Sequence, residues 1–524
     1  MARVTTAVSD GANAKTAMVA TRTRRATALA VALALGACGG GSGSGDEDPG
    51  VPLGGGGVVP LGTGDEAPAG GGAIDASALD GAAVAADDDP AAGDGPERAG
   101  PPGGFATAPG VEACSVEDLK ARVDFDMRDY YVFADRVPSL SPAEFETPQA
   151  LIEALRVDPD IFSSVSDFDD FRDQSAGRTA GFGFRLDAGE GGLPAFRLVI
   201  GGSPAAAAGI ERGDALVALG GEPVGDLGAE GIVARLRDAA EGEAVRFGLE
   251  RAGERLEIEV VKAAYTIDTL AGAFSFEADD GTRVGYVPVL QFAESTPEAM
   301  DETFARLAAE GVEALVLALR YNPGGLIFAA SRLAAHVAGE RVADETFVQY
   351  LFNDAYAREL NASIGFEEVE TTLGLERVVA ILTGESASAS ELAVNGLAPF
   401  VDVEVVGTPS FGKAFGSSPQ RYCDIAINAM AFVTANAEGT TVAGGIRPGC
   451  TVEDAWAFPL GDARDALTGA AYEVLLDGTC PGDALAGVPA GPSADGTLAV
   501  RTRAGAAAPL WDELPRGPGA IDVR

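Results

Sequence analysis

The chain has 524 residues, 47% of them hydrophobic, and a formal net charge of −42. That length and apolar content suffice for two or three domains with real cores. So large an acidic excess excludes nucleic acid as a natural partner and opposes adhesion to anionic lipid through charge.

The first segment reads as an export signal: Arg22, Arg24 and Arg25 precede an apolar run from Ala26 to Leu35 that ends in small residues. The run is too short to span a membrane, and Met18 to Cys38 alone has the length of a complete signal. Its end, Leu35-Gly-Ala-Cys38, resembles a bacterial lipobox, which implies cleavage after residue 37, lipidation of Cys38 and anchorage in the cell envelope. Removing residues 1–37 makes the remaining chain more acidic still. Residues 38–110 are almost entirely Gly, Ala, Asp, Pro and Ser. Such a segment buries too little apolar surface to offset its ordering entropy, so a tether is expected, with a coil reach of about 45 Å. With Cys38 lipidated, Cys114, Cys423, Cys450 and Cys480 remain, an even number suited to two disulfides in an oxidising compartment. Of three pairings, Cys423–Cys450 is favoured because it would join the ends of an expected hairpin, leaving Cys114 for Cys480. No metal or other cofactor is expected: there is no CxxC pair, and the single histidine, His336, is remote from the cysteines.

Residues 111–175 read as a small helical domain, with apolar periodicity from Val116 to Tyr131 and again from Pro148 to Leu155. Residues 176–265 turn β-rich. Strands are expected at Phe196–Ile200, Ala215–Leu219 and Ala244–Leu249, and a helix at Ala229–Ala239. The run Gly202-Ser-Pro-Ala-Ala-Ala-Ala-Gly-Ile-Glu-Arg-Gly-Asp214, followed by Leu216 to Val224, resembles a bacterial PDZ domain. The resemblance implies capture of a protein's C-terminal tail as an added strand, its carboxylate held near Gly181, Phe182, Gly183 and Phe184. Residues 266–480 alternate apolar strands and helices, the pattern of an α/β core. Strands are expected at Val284–Leu290, Ala314–Leu319 and Val378–Thr383, and helices at Pro297–Glu310, Leu326–Val337 and Ser390–Leu397. Residues 481–524 form an Ala-, Gly- and Pro-rich tail.

Lysine is scarce. Only Lys15, Lys120, Lys262 and Lys413 occur, and arginine supplies the other 33 basic residues. Arginine does not give up its proton in a protein, whereas a buried lysine can. Lys413, in Phe411-Gly-Lys413, follows the small-residue turn Ser386-Ala-Ser-Ala-Ser-Glu391 by a short distance. Ser388 falls where a buried strand gives way to a helix, so its Oγ can project into a cleft near spare helix N–H groups. A lysine desolvated by apolar neighbours such as Phe411 and Phe415 can serve as its base. Taken alone, Ser388-Ala-Ser-Glu391 also fits a helix capping box, and Asn322-Pro-Gly-Gly325 a plain turn.

Gly285-Tyr-Val287, Leu317 through Gly325, Ser386–Glu391, Phe411-Gly-Lys413 and Gly445-Ile-Arg-Pro448 occur in order. Together with the PDZ-like stretch, this order resembles the C-terminal processing peptidases, or tail-specific proteases, over residues 115–460. The resemblance implies a crotonase-like β/α core and a serine endopeptidase with Ser388 as nucleophile and Lys413 as base. The oxyanion hole would come from the N–H of Ala389 and of Gly324 or Gly325. Protein substrates would enter by their C-terminal tails. Two positions depart from the family: its lysine-positioning glutamine is Ser417 here, with Gln420 nearby, and its acidic residue before the Leu-Arg step is Ala318. The rival readings are a non-catalytic PDZ lipoprotein that binds C-terminal peptides and, ranked below it, an apolar-ligand carrier. Neither the natural substrate nor the oligomeric state is written in the sequence.

Overall fold

A computed structural model describes residues 114–189 and 192–481. The signal segment, Cys38, the tether and the C-terminal tail lie outside them. The described chain opens with α1 (Val116–Asp129), α2 (Pro148–Leu155), β1 (Ser164–Asp167) and α3 (Phe168–Ser175). The apolar side of α1 and α2 packs Val123, Met127, Leu151, Ile152 and Leu155 into the same cluster as Val287, Leu317 and Leu382 farther along the chain. The first helical segment is therefore one wall of the main core. Ser115 begins α1 by accepting the Asp118 N–H, and Thr147 caps α2 by accepting that of Ala150.

The middle segment comprises β2 (Arg178–Gly181), β3 (Phe184–Ala188), β4 (Pro194–Val199), α4 (Pro204–Ala208), β5 (Ala215–Leu219), β6 (Glu222–Pro223), α5 (Val224–Asp238), β7 (Ala244–Arg251), β8 (Glu254–Val261) and β9 (Ala263–Thr266). The α5 span is two helices that meet at Gly228, whose φ and ψ are not helical, and the second of them matches the expected helix. An antiparallel sheet in the order β3-β4-β5-β7-β8 leaves β3 at an edge. Phe182, Phe184, Phe196 and Phe247 interlock edge to face inside a core separate from the main one. Strands β2 and β9 pair as the two-stranded neck of this domain.

The third segment runs through β10 (Phe274–Glu277), β11 (Arg283–Pro288), α6 (Thr296–Ala309), β12 (Ala314–Ala318), α7 (Ile327–Ala338), β13 (Thr346–Phe352), α8 (Ala357–Leu360) and β14 (Ala362–Gly365). It continues with β15 (Arg377–Leu382), α9 (Ala389–Leu397), β16 (Asp402–Gly407), β17 (Phe415–Ser417), β18 (Gln420–Tyr422), β19 (Ile425–Asn428), β20 (Met430–Ala435), β21 (Cys450–Thr451) and α10 (Ala466–Asp477). The central sheet has the order β10-β11-β12-β15-β16-β21, parallel from β11 onward. Its strands are apolar on both faces. Leu315 and Leu317 of β12 face the main cluster, while Val316 and Ala318 face the one under α10. Strand β1 pairs with β19 in a second, three-stranded sheet, so the start of the described chain is stitched to a strand near residue 427.

The disulfides are Cys114–Cys423 and Cys450–Cys480, which corrects the pairing favoured from the sequence. Cys423 lies at the tip of the β18–β19 hairpin rather than at its base, and α1, which follows Cys114, lies beside that tip with Arg122 over the Tyr422 ring. Cys450 opens β21 in the central sheet, within reach of the segment that follows α10. Among the described residues no helix is long and apolar enough to cross a membrane, and no group of His, Cys, Asp and Glu could hold a metal ion.

Candidate active site

Adjacent parallel strands β12 and β15 end side by side, and the loops leaving them, Leu319–Leu326 and Thr383–Ser388, meet over the sheet. Loops at the C-terminal ends of parallel strands are where α/β proteins place ligands. The two loops are joined by backbone and side-chain bonds. Ala387 N–H donates to Asn322 O (3.1 Å), Ser390 Oγ donates to the same carbonyl (2.9 Å), and Ser386 Oγ donates to Leu319 O (3.0 Å).

Ser388 stands at the start of α9 with φ +55° and ψ −118°. A residue with a Cβ is strained there, and such strain persists only where the surroundings hold it, commonly at functional sites. The holding group is Glu391, fully buried one turn into α9. Its Oε2 accepts the N–H of Ser388 (2.9 Å) and of Lys413 (2.9 Å), and its Oε1 accepts the N–H of Gly412 (2.6 Å) and the hydroxyl of Ser410 (2.5 Å). One carboxylate thus fastens the backbone of the serine to that of the lysine, 25 positions apart in the sequence. Burial drives its pKa up to about 7, against the pull of the four hydrogen bonds. The capping-box pattern of Ser388-Ala-Ser-Glu391 and the site geometry are therefore one arrangement, a role for Glu391 that the short motif alone does not reveal.

Lys413 is buried, and its Nζ lies 4.6 Å from the ring centre of Phe162. Phe411 meets that ring edge to face at 5.6 Å and is itself 44% exposed, whereas Phe415 turns away to pack on Phe133. The ring over the ammonium thus comes from the first helical segment, 251 positions earlier, and no local pattern could have found it. Ser417 is buried on β17 at an irregular pairing with Met430. Gln420 points elsewhere, its amide donating to Ser418 O at 2.9 Å.

Opposite Ser388, both glycines of the Asn-Pro-Gly-Gly turn are required. A Cβ on Gly324 would come within 2.8 Å of the Ser388 Cβ, and one on Gly325 within 2.1 Å of Phe292 O. Gly324 N–H is taken by Asn322 Oδ1 (2.8 Å). Phe292 bonds Gly324 O and Leu326 N–H as a parallel bridge, which turns the N–H of Gly325 to the other side. Ala389 is the first residue of α9, where N–H groups have no intrahelical partner. His336 lies in α7, with Nδ1 2.7 Å from Thr371 O, Nε2 2.9 Å from Asp301 and its ring stacked on Phe304. Burial outweighs these bonds and lowers its pKa.

Gly181–Phe184 link the neck to β3, and the carbonyl of Gly183 is pinned by Ile200 N–H (2.9 Å) and Ser203 Oγ (3.1 Å). Arg185 on β3 and Arg197 on β4 grip Glu385, three residues before Ser388, at 2.6 and 2.5 Å. Arg212 reaches Tyr321, Asp465 and the carbonyls of Ala455 and Phe458. The middle domain therefore touches both loops of the site.

Residues 283–452 match the model of peptidase family S41, and residues 196–251 that of the PDZ domain. The chain is 25% identical over 214 residues to carboxy-terminal processing protease CtpB of Bacillus subtilis, covering 40% of this chain and 42% of that protein. It is 29% identical over 215 residues to a carboxyl-terminal-processing protease of Picosynechococcus, covering 40% and 49%. A carboxy-terminal-processing protease of Bartonella bacilliformis is 27% identical over 317 residues, covering 58% and 68%. The matches thus span about half the length of the first two relatives. In fold the chain resembles a crystal structure of a putative S41 protease from Bacteroides fragilis, with TM-score 0.58 and 20% identity over 67% of this chain and 96% of that one.

Proposed function

From the premise that this chain is a member of the C-terminal processing peptidase family, with an S41 core and a PDZ domain, we propose that it is a serine endopeptidase that uses a Ser388–Lys413 dyad. The observation that carries the reading is the buried Glu391 carboxylate, which binds the backbone N–H groups of both residues while Ser388 stays in a strained conformation. Lys413 takes the hydroxyl proton as Ser388 Oγ attacks a substrate carbonyl. The N–H groups of Ala389 and Gly325 receive the oxyanion, at the positive end of α9. The lysine then returns the proton to the leaving amine. The resulting ester is hydrolysed by a water that the same amine deprotonates. Gly324 serves by closeness rather than as a donor, since its N–H is already engaged.

The PDZ domain presents the substrate's C-terminal tail along the edge strand β3, with the carboxylate in the Gly181–Phe184 turn. Cleavage then falls near that end of the substrate. We place the protein in the bacterial cell envelope, lipid-anchored through Cys38. The two disulfides and the acidic balance are compatible with that compartment. The buried Ser417, in place of the lysine-positioning glutamine, favours a second reading as a PDZ lipoprotein that binds tails without cutting them.

The test is cleavage of an unfolded reporter protein with an apolar C-terminus by the full chain and by its Ser388→Ala and Lys413→Arg variants. Cleavage by the parent alone is expected. Cleavage retained in either variant overturns the dyad, and reporter binding without cleavage by the parent selects the second reading.

A further inference from the structure

We propose that Phe162 is a positioning residue of the active site, the roof that keeps the Lys413 amine dry, carried into the peptidase core by the first helical segment. The inference rests on the reading of Lys413 as the base. Three observations carry it. The ring of Phe162 lies over Nζ at 4.6 Å, and the edge of Phe411 closes its side at 5.6 Å. The turn that bears Phe162 is rigid, because Asp160, 3% exposed, accepts the N–H of Phe162 (2.7 Å) and of Ser163 (3.0 Å) on one oxygen. Its other oxygen accepts the hydroxyls of Ser163 (2.5 Å) and Tyr131 (2.8 Å). Finally, Ser163 Oγ accepts the N–H of Met430, the residue that pairs with Ser417 on the strand following Lys413. Roof and lysine are thus both fastened to β20, the roof through Ser163 and the lysine through β17.

A phenyl roof acts on an amine in two opposite ways. Its bulk excludes water, which disfavours the ammonium by as much as several pH units at full burial. Its face attracts the ammonium by an amount equivalent to about 0.5–1.5 pH units. Exclusion is the larger effect, so the roof favours the neutral amine on balance. Of the titratable groups named here, Glu391 engages the Lys413 backbone, and Asp160 has its oxygens filled as described.

The two effects separate by substitution. Phe162→Leu keeps the apolar cover and removes the ring face, whereas Phe162→Ala opens the amine to water. The full chain has four lysines, so a lysine-selective 13Cε label gives a spectrum simple enough to titrate, with Lys413→Arg assigning the signal. The Lys413 midpoint should move down by about 0.5–1.5 pH units in Phe162→Leu and up by about 1 unit or more in Phe162→Ala. Where cleavage is measured, the acid limb of kcat/KM should follow. Shifts of the same sign, or none, overturn the proposal. Should Phe162→Ala unfold, Phe162→Val, which removes part of the cover, takes its place: a midpoint above that of Phe162→Leu carries the proposal and an equal one overturns it. The titration needs no substrate. A moving midpoint in a protein that does not cleave keeps the roof and removes the peptidase reading; a fixed midpoint in one that does cleave does the reverse.

Discussion

The two segments that precede the central-sheet core join it by opposite means. The first helical segment is fused to it. Its apolar residues lie in the core's own cluster, β1 pairs with β19, and Cys114 is bonded to Cys423. The PDZ domain keeps a separate core, and its main ties to the rest are arginines, with only a small apolar cluster around Leu198, Ile200 and Tyr321 at the junction. Apolar contacts and buried hydrogen bonds hold one geometry, because breaking them exposes surface or orphans polar groups. The partly exposed ion pairs of Glu385 are individually weaker and weaken further with salt, whereas Arg212–Asp465 is buried. The segment that roofs the proposed base is joined in the first way, the domain that would hand over a flexible tail in the second.

The largest test of this contrast is Asp160→Ala. It leaves two hydroxyls and two N–H groups without their buried acceptor, and should cost about 3–5 kcal/mol in urea unfolding. The loss should appear in a single transition of segment and core together. A separate early transition for the helical segment would break the contrast.

Next is the pH dependence set by Glu391, at the point where the loops of the core are tied together. Its folded pKa of about 7 lies above the unfolded value of 4.5. Its contribution to stability is therefore fully present below pH 4.5 and is lost as pH rises through 7, amounting to about 3 kcal/mol. Glu391→Gln should flatten that slope in chemical denaturation measured from pH 4.5 to 8. The ionised form, which accepts four donors at once, is the one the site geometry requires, so this carboxyl trades stability for position.

The smallest effect is expected at the PDZ junction. Glu385→Gln removes the shared partner of Arg185 and Arg197 and should cost about 1 kcal/mol or less in global unfolding. It should nevertheless speed limited proteolysis near the β2–β9 neck, and raised salt should have the same effect on the parent. A loss as large as that of Asp160→Ala would mean that the PDZ domain is fused to the core after all.

Much of this was legible because it is local. The 3.6-residue period of Pro148–Leu155 gives α2 with its observed limits, and the double-faced apolar runs near residues 315 and 380 give adjacent buried strands. The scarcity of lysine singles out Lys413. The strands β17 to β20 are less legible: β17, β19 and β20 are largely buried and so lack alternation, and β18 is only three residues long. The place of Cys423 at the hairpin tip, and with it the disulfide partners, is therefore not readable from local pattern.

By itself the sequence determined which side chains could do chemistry and in what order the chain carries them: a serine at the start of a helix, a lysine that can lose its proton and a glycine turn without side chains. These are properties of residue type and near neighbours. Only the tertiary structure decided that Phe162 covers the lysine, that Glu391 joins it to the serine, and which cysteines meet. Those contacts link positions 22 to 309 residues apart, and they form because apolar burial brings whole elements together, a cooperative outcome that no local pattern encodes.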